Sequence, residues 1–182
     1  AAIPEIARAV APMTLVIRPH PSENPKSWEA AAAGVPNVKV IHEGPIGPWL
    51  MAARGLIQNG CTSAVEAGVV GTPALAFRPR VSEQFEVELS NRVSRDCRSL
   101  PELITALKSL PPKGPLPEKQ LAYLRTHIAS VDGAFSCDRL LDALDDHADR
   151  LVAPPARGAL AMAGTRLAHF RRYPLRDTIK GL

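Results

Sequence analysis

Three short segments hold residues whose types and spacing allow chemistry at a shared site. The segments read Arg18-Pro19-His20-Pro21, Asn59-Gly60-Cys61-Thr62-Ser63 and Phe77-Arg78-Pro79-Arg80. Each follows a short apolar run of the kind that forms a buried strand. Charged, hydroxyl and glycine residues directly after strands favour an anionic ligand, because they supply positive charge, hydrogen-bond donors and room for close approach.

The middle segment has the most informative spacing. A strand runs into Asn59-Gly60, and a helix then begins at Thr62 or Ser63, with Glu66 near the end of its first turn. Amide groups at the start of a helix can bind phosphate, and a carboxylate beside them can accept hydrogen bonds from two ribose hydroxyls. This spacing predicts a nucleotide site. The alternative is that the hydroxyl residue only caps the helix and Glu66 only complements the helix dipole.

The two outer segments contribute a histidine and two arginines. His20 lies between two prolines directly after a strand, where it can donate a hydrogen bond to a phosphate or a sugar hydroxyl, or bond only to the local backbone. Arg18 and Arg78 end different strands and can each pair with phosphate through two hydrogen bonds. The alternative for both is a surface network with carboxylates such as Glu23 or Glu43.

Cysteine usage indicates a reducing, cytoplasmic setting. The chain has 3 cysteines, Cys61, Cys97 and Cys137, which are too few and too scattered for a disulfide framework. Cys61 stands just before a helix, where a thiolate nucleophile would be stabilised. We expect all three to be small buried residues instead. No group of residues has the spacing of metal ligands, so we expect no metal.

An alternation of strands and helices must position the three segments. Apolar runs predict strands over 13–18, 37–42, 55–60 and 73–78. Helical patterns lie between them over 26–33, 46–54 and 62–70. This order is typical of a Rossmann-like α/β fold, a parallel sheet with flanking helices in which ligands bind beyond the carboxyl ends of the strands.

The pattern becomes helical after residue 80. We predict an amphipathic helix over 100–110, a proline-rich linker over 111–117, and helices over 118–130, 137–151 (capped by Ser136) and about 156–172. We therefore expect a Rossmann-like, nucleotide-binding domain over 1–110, which the resemblance given below makes a donor nucleotide-sugar-binding domain, and a helical C-terminal extension over 111–182. Most of the net charge of +4 comes from the end of the chain. The basic residues there are Arg150, Arg157, Arg166, Arg171, Arg172, Arg176 and Lys180.

Length and composition limit the classes of protein to which this chain can belong. With 182 residues, 46% of them hydrophobic, the chain can bury a core and form one domain with an extension. No apolar run reaches the length of a membrane-spanning helix, and no signal peptide opens the chain. A mild positive charge does not indicate nucleic-acid binding. The first residue is Ala, inside a helix-like stretch, so we expect either a processed chain or a piece of a longer protein.

A resemblance rests on these segments in this order. "IRPHP" followed by "NVKVIHEGPIGPWLMAARGLIQNGCTSAVEAGVVGTPALAFRP" resembles the C-terminal, nucleotide-binding half of GT-B-fold proteins. The nearest resemblance is to bacterial surface carbohydrate (capsule or lipopolysaccharide) biosynthesis proteins. A more distant one is to the non-hydrolysing UDP-sugar 2-epimerases and glycerophosphotransferases. The similarity covers residues 10–80, with a weaker one over 131–144.

The resemblance implies a role for each motif residue. His20 would contact the phosphate or sugar of a nucleotide-activated donor, Thr62 and Ser63 would contact its phosphate, and Glu66 would hold its ribose. Gly71 and Pro73 would shape the turn into the next strand.

The resemblance also implies a function. The chain would be the donor-binding half of a glycosyltransferase, with the nucleotide-sugar as substrate and no separate cofactor. An N-terminal domain, which this chain lacks, would hold the acceptor and the catalytic base. The basic C-terminal helix would brace that domain or meet anionic lipid at the inner membrane. The alternatives are a sugar-nucleotide 2-epimerase and a non-catalytic scaffold of the same fold.

Overall fold

The computed structural model describes residues 2–147 except 83, 85 and 132. The helices are α1 (Ala2–Val10), α2 (Pro25–Ala32), α3 (Ile46–Ala52), α4 (Ser63–Val69), α5 (Glu88–Arg92), α6 (Leu100–Lys108), α7 (Glu118–Arg125) and α8 (Ser136–His147). The strands are β1 (Leu15–Ile17), β2 (Val38–Val40), β3 (Leu56–Gln58), β4 (Ala74–Phe77) and β5 (Arg95–Cys97). The predicted helix over 156–172 and the basic residues from Arg150 onward lie outside the described residues.

The strands form two small parallel sheets. One sheet has the order β1-β2 and the other the order β3-β4-β5. Leu15 lies opposite Val38 in the first sheet, and Leu56 lies opposite Ala74 in the second. Helices connect the paired strands, as parallel pairing requires. This architecture confirms the predicted Rossmann-like α/β fold class.

Local sequence signals explain where two of the helices begin. The Asn24 side chain accepts a hydrogen bond from the Lys26 amide, and Pro25 occupies the first turn of α2. Ser99 caps α6 in the same way, because its side chain accepts a hydrogen bond from the Glu102 amide. Both are favourable helix starts, since an otherwise unpaired amide gains an acceptor.

The two sheets share a hydrophobic core. Leu75 of β4, Cys97 of β5 and Leu103 of α6 are buried at its centre. Leu15 of β1 and Ile57 of β3 pack against the same buried cluster, although no described strand pairing joins their sheets. The buried residues of this core are aliphatic apart from one cysteine, as expected for a sequence with only 4% aromatic residues.

Two elements were not predicted from the sequence. They are α5 and β5, which lie in a stretch without an apolar run. In β5 only Cys97 is buried, while Arg95 and Asp96 are exposed. A strand with one buried side chain at the edge of a sheet lacks the hydrophobic pattern by which strands are recognised. The other strands and helices predicted for the described residues are present. The helix predicted over 118–130 ends earlier, at Arg125, and the other ends that are described differ by at most two residues.

The proline-rich stretch packs against the α/β unit. We call residues 110–117 the strap. Arg54 donates hydrogen bonds to the carbonyls of Leu110, at 2.7 Å, and Pro111. Lys113 donates to the carbonyls of Leu50 and Met51 at the end of α3. The strap and α7 belong to the first of two compact units of the chain, which ends at His127.

Candidate functional site

Arg18 connects the carboxyl ends of β1 and β2. Its guanidinium donates hydrogen bonds to the backbone carbonyls of Glu43 at 2.8 Å and Gly44 at 2.7 Å. The same group lies over the Trp49 ring, 5.2 Å from the ring centroid. These acceptors are neutral carbonyls rather than the carboxylates considered as an alternative. Among the described residues no carboxylate pairs with Arg18, so its positive charge remains available to an anion.

His20 is held in a tight turn. The Glu23 amide donates to the His20 carbonyl at 2.8 Å, and a Glu23 carboxylate oxygen accepts from the His20 amide at 2.8 Å. The Ser22 amide donates to the ring Nδ1 at 3.2 Å. The Ser22 hydroxyl also lies 2.7 Å from Nδ1, so this ring nitrogen is engaged by the local turn. Among the described residues, Nε2 of the exposed ring has no hydrogen-bond partner.

The loop between β3 and α4 turns one amide inward. Gly60 adopts a φ of +66°, which glycine tolerates without steric cost. The Cys61 amide then donates to the side-chain oxygen of Gln58 at 2.8 Å, and Gln58 is 6% exposed. No described residue accepts a hydrogen bond from the amides of Thr62 or Ser63. Thr62 precedes α4 but makes no side-chain cap, so the capping alternative does not account for its hydroxyl.

Glu66 lies in the first turn of α4 and is exposed. Within residues 2–147, as far as they are described, its carboxylate has neither a hydrogen bond nor an ion pair. It can therefore accept hydrogen bonds from a ligand without first releasing a partner. A carboxylate at this end of a helix is also favoured by the helix dipole.

The cysteines differ in exposure. Cys61 and Cys137 are exposed, so the prediction that they are buried is wrong. The reason at Cys61 is the turn at Gly60, which directs the amide inward and leaves the thiol at the surface, where the Ser63 hydroxyl donates to it at 3.0 Å. Cys97 is buried as predicted, and this burial raises the pKa of its thiol.

Arg78 is paired with carboxylates at the end of β4. Its guanidinium contacts Glu86 and donates to Asp96 at 2.9 Å, and its side chain is 11% exposed. The hydrogen bond to Asp96 raises the pKa of Arg78, against the opposing effect of burial. Burial acts to raise the pKa of Asp96, but hydrogen bonds from Arg78 and Arg98 outweigh it and lower that pKa overall. A phosphate at Arg78 would have to displace one of these carboxylates, neither of which was anticipated from the sequence.

The predicted site residues form two groups. Arg18 joins the β1 and β2 ends, while the loop after β3 and Arg78 lie at the carboxyl ends of the second sheet. Where the chain is described, no hydrogen bond or ion pair links the two groups. Sequence analysis did not identify Gln58 or Ser22. Gln58 is the last residue of a strand before an Asn-Gly turn, and a polar residue in that position is a usable signal.

A cavity of about 490 Å³ lies at the opposite edge of the second sheet. Pro73 and Ala74 at the start of β4, Arg95 at the start of β5, and the strap line it. Ligands of parallel α/β sheets bind at the carboxyl ends of the strands, and this cavity is at the amino ends. We therefore place the candidate site at the carboxyl ends and not in this cavity.

In the described part of the chain, no helix is long and apolar enough to cross a bilayer. Nor do three or more His, Cys, Asp or Glu residues of that part cluster as a metal site would require. No protein-family model, curated protein or solved structure matches this chain.

Proposed function

We propose that this chain is the donor-binding half of a glycosyltransferase of bacterial surface polysaccharide synthesis, holding a nucleotide-activated sugar at the carboxyl ends of its parallel strands. One observation carries the proposal. The three segments with candidate binding residues directly follow β1, β3 and β4, so all of them stand at carboxyl ends. Open parallel sheets bind their ligands there.

Each part of the donor has a matching group. The amides and hydroxyls of Thr62 and Ser63 would bind phosphate, and the Glu66 carboxylate would accept hydrogen bonds from the ribose. The Nε2–H of His20 would donate to a phosphate or sugar oxygen. Arg18 would add positive charge that no described carboxylate cancels. The resemblance of the same residues to the surface carbohydrate biosynthesis proteins supports these assignments.

The proposed chemistry is transfer of the sugar. The bond between the anomeric carbon and the phosphate oxygen breaks, and its electron pair stays on that oxygen as an acceptor oxygen bonds to the carbon. Donors fixed before the reaction stabilise the charge that develops on the phosphate. On this proposal a second domain supplies the acceptor and the base that takes its proton, and the chain would act in the cytoplasm, at or near the inner membrane.

Titration calorimetry with CMP, CDP, UDP, GDP, dTDP and inorganic pyrophosphate tests the proposal. We expect at least one nucleotide to bind. Glu66→Ala should weaken that nucleotide about tenfold or more, because a charge-assisted hydrogen bond is lost. Pyrophosphate has no ribose, so its affinity should not fall in the same variant.

Glu29→Ala is the matched control, since Glu29 is also an exposed helical glutamate and lies on α2. Glu29→Ala should change neither the nucleotide affinity nor the pyrophosphate affinity. Failure of every nucleotide to bind would reject the proposed function. An unchanged nucleotide affinity in Glu66→Ala would reject the ribose assignment alone.

A further inference from the structure

The cavity at the amino ends of the second sheet has mostly apolar walls. Its volume of about 490 Å³ is within the range of small-molecule sites. Leu75 and Val93 line it and are buried, each 2% exposed. The strap adds Leu110, Leu116 and four prolines to the lining. A molecule that fills this cavity therefore needs an apolar body, whose burial favours binding.

Hydrogen bonds hold the strap side of the cavity in place. The Gly114 amide in the middle of the strap donates to the Gly71 carbonyl at 2.9 Å. Arg54 binds the start of the strap through two backbone carbonyls. Beyond the strap, the Gln120 side chain of α7 donates to the Arg92 carbonyl at 3.2 Å. These fixed walls favour binding, because little conformational freedom is lost when a ligand enters.

Arg95 brings a positive charge to the cavity. Its guanidinium donates to the Ser109 hydroxyl at 3.2 Å, and both residues line the cavity and are exposed. In the part of the chain that the structure describes, no carboxylate lies within ion-pair distance of Arg95. The neighbouring Asp96 pairs with Arg78 and Arg98 instead. The charge of Arg95 is therefore available to a carboxylate, which an arginine can bind through two hydrogen bonds.

Two helices end beside the same cavity. The helix α4 ends at Val69 and α6 ends at Lys108, and Gly71 and Ser109, which lie just beyond these ends, line the cavity. The C-terminal end of a helix carries a partial negative charge of about half an elementary charge. These ends disfavour the several negative charges of a nucleotide phosphate chain. A single carboxylate can be balanced by Arg95.

We propose that this cavity binds a small monocarboxylate with an apolar tail. The tail packs against the strap, Leu75 and Val93, and the carboxylate pairs with Arg95. The site lies at the amino ends of the strands, so it is separate from the candidate nucleotide site and does not depend on the proposed function.

Titration calorimetry of the full chain with octanoate, 1-octanol and acetate tests the proposal. Octanol has the tail without the charge, and acetate has the charge without the tail. We expect octanoate to bind about tenfold or more tighter than either. Arg95→Gln should weaken octanoate binding about tenfold and leave octanol binding unchanged.

Lys108→Gln is the matched control, since it removes the same charge at an exposed residue that does not line the cavity. It should leave octanoate binding unchanged. Circular dichroism of each variant shows whether the fold is retained. NMR of the wild type locates octanoate without any substitution, and the largest amide shifts should occur at Gly71, Ala74 and Gly114.

Three results would overturn the proposal. They are an absence of octanoate binding to the wild type, equal octanoate affinity in the wild type and Arg95→Gln, and largest amide shifts at residues away from the cavity. None of them bears on nucleotide binding at the carboxyl ends, so the two proposals fail independently.

Discussion

A substitution at Gly71, just after the end of α4, measures how closely the strap backbone approaches this position. Gly71 has a φ of +73°, and a Cβ built there would lie 2.9 Å from the Gly114 carbonyl oxygen of the strap. Alanine at this position pays about 1–2 kcal/mol for the left-handed conformation. It must also displace the strap backbone, which strains the Gly114 amide's hydrogen bond to the Gly71 carbonyl at 2.9 Å. A weakened hydrogen bond adds about 1 kcal/mol.

Gly71→Ala should therefore lower the free energy of unfolding by about 2–3 kcal/mol. Gly34→Ala is the matched control. Gly34 has a φ of +76°, and nothing lies within 4 Å of a Cβ built there. Gly34→Ala should lose only the free energy that the left-handed conformation costs an alanine, about 1–2 kcal/mol.

Urea unfolding of the wild type and both variants, followed by circular dichroism, measures the difference. We expect Gly71→Ala to be less stable than Gly34→Ala by about 1 kcal/mol. Equal free energies of unfolding in the two variants would refute the close approach of the strap to Gly71.

Two other predictions concern charged groups at the strand ends. The lowered pKa of Asp96 means that its contribution to stability is fully present above about pH 4 and is lost as the pH falls through the lower, folded value. Asp96→Asn should therefore be less stable than the wild type at pH 7, and the difference in urea unfolding should shrink as the pH falls through the folded pKa of Asp96. A gap independent of pH would contradict this. Lysine at position 18 cannot reproduce the two carbonyl contacts or the stacking on Trp49, so Arg18→Lys should lower the free energy of unfolding by about 1–2 kcal/mol. It should also shift the fluorescence of Trp49, measured in a Trp28→Phe background. Arg80→Lys, at an exposed arginine, is the control, and an equal loss in both would contradict the Arg18 contacts.

The order of strands and helices could be predicted over the first half of the chain because each core strand there carries a short apolar run. Leu75 and Ala76 of β4 are buried, for example, and both belong to such a run. The strand β5 could not be predicted, since Cys97 is its one buried residue. The ion pair between Arg78 and Asp96 could not be predicted either, because Asp96 lies beside Arg78 only when β5 pairs with β4.

Side-chain and loop contacts were less predictable than the elements. The spacing predicts that Thr62 and Ser63 follow a strand. It does not predict the inward turn of the Cys61 amide, because that turn depends on a hydrogen bond to the Gln58 side chain. Which ring nitrogen of His20 remains for a ligand likewise depends on Ser22, whose position is set by the turn. Spacing along the chain identifies which residues meet a sheet edge, while hydrogen bonds in the folded chain decide which of their donors remain for a ligand.

The most direct test of the central claim is to locate the bound nucleotide by NMR. The chain would be titrated with the nucleotide of the calorimetric panel that binds most tightly, and the amide shifts of every assigned residue would be followed. We predict the largest changes at Thr62, Ser63 and Glu66, with a change at His20. Largest changes at Gly71 and Gly114, beside the cavity at the amino ends of the strands, would contradict it.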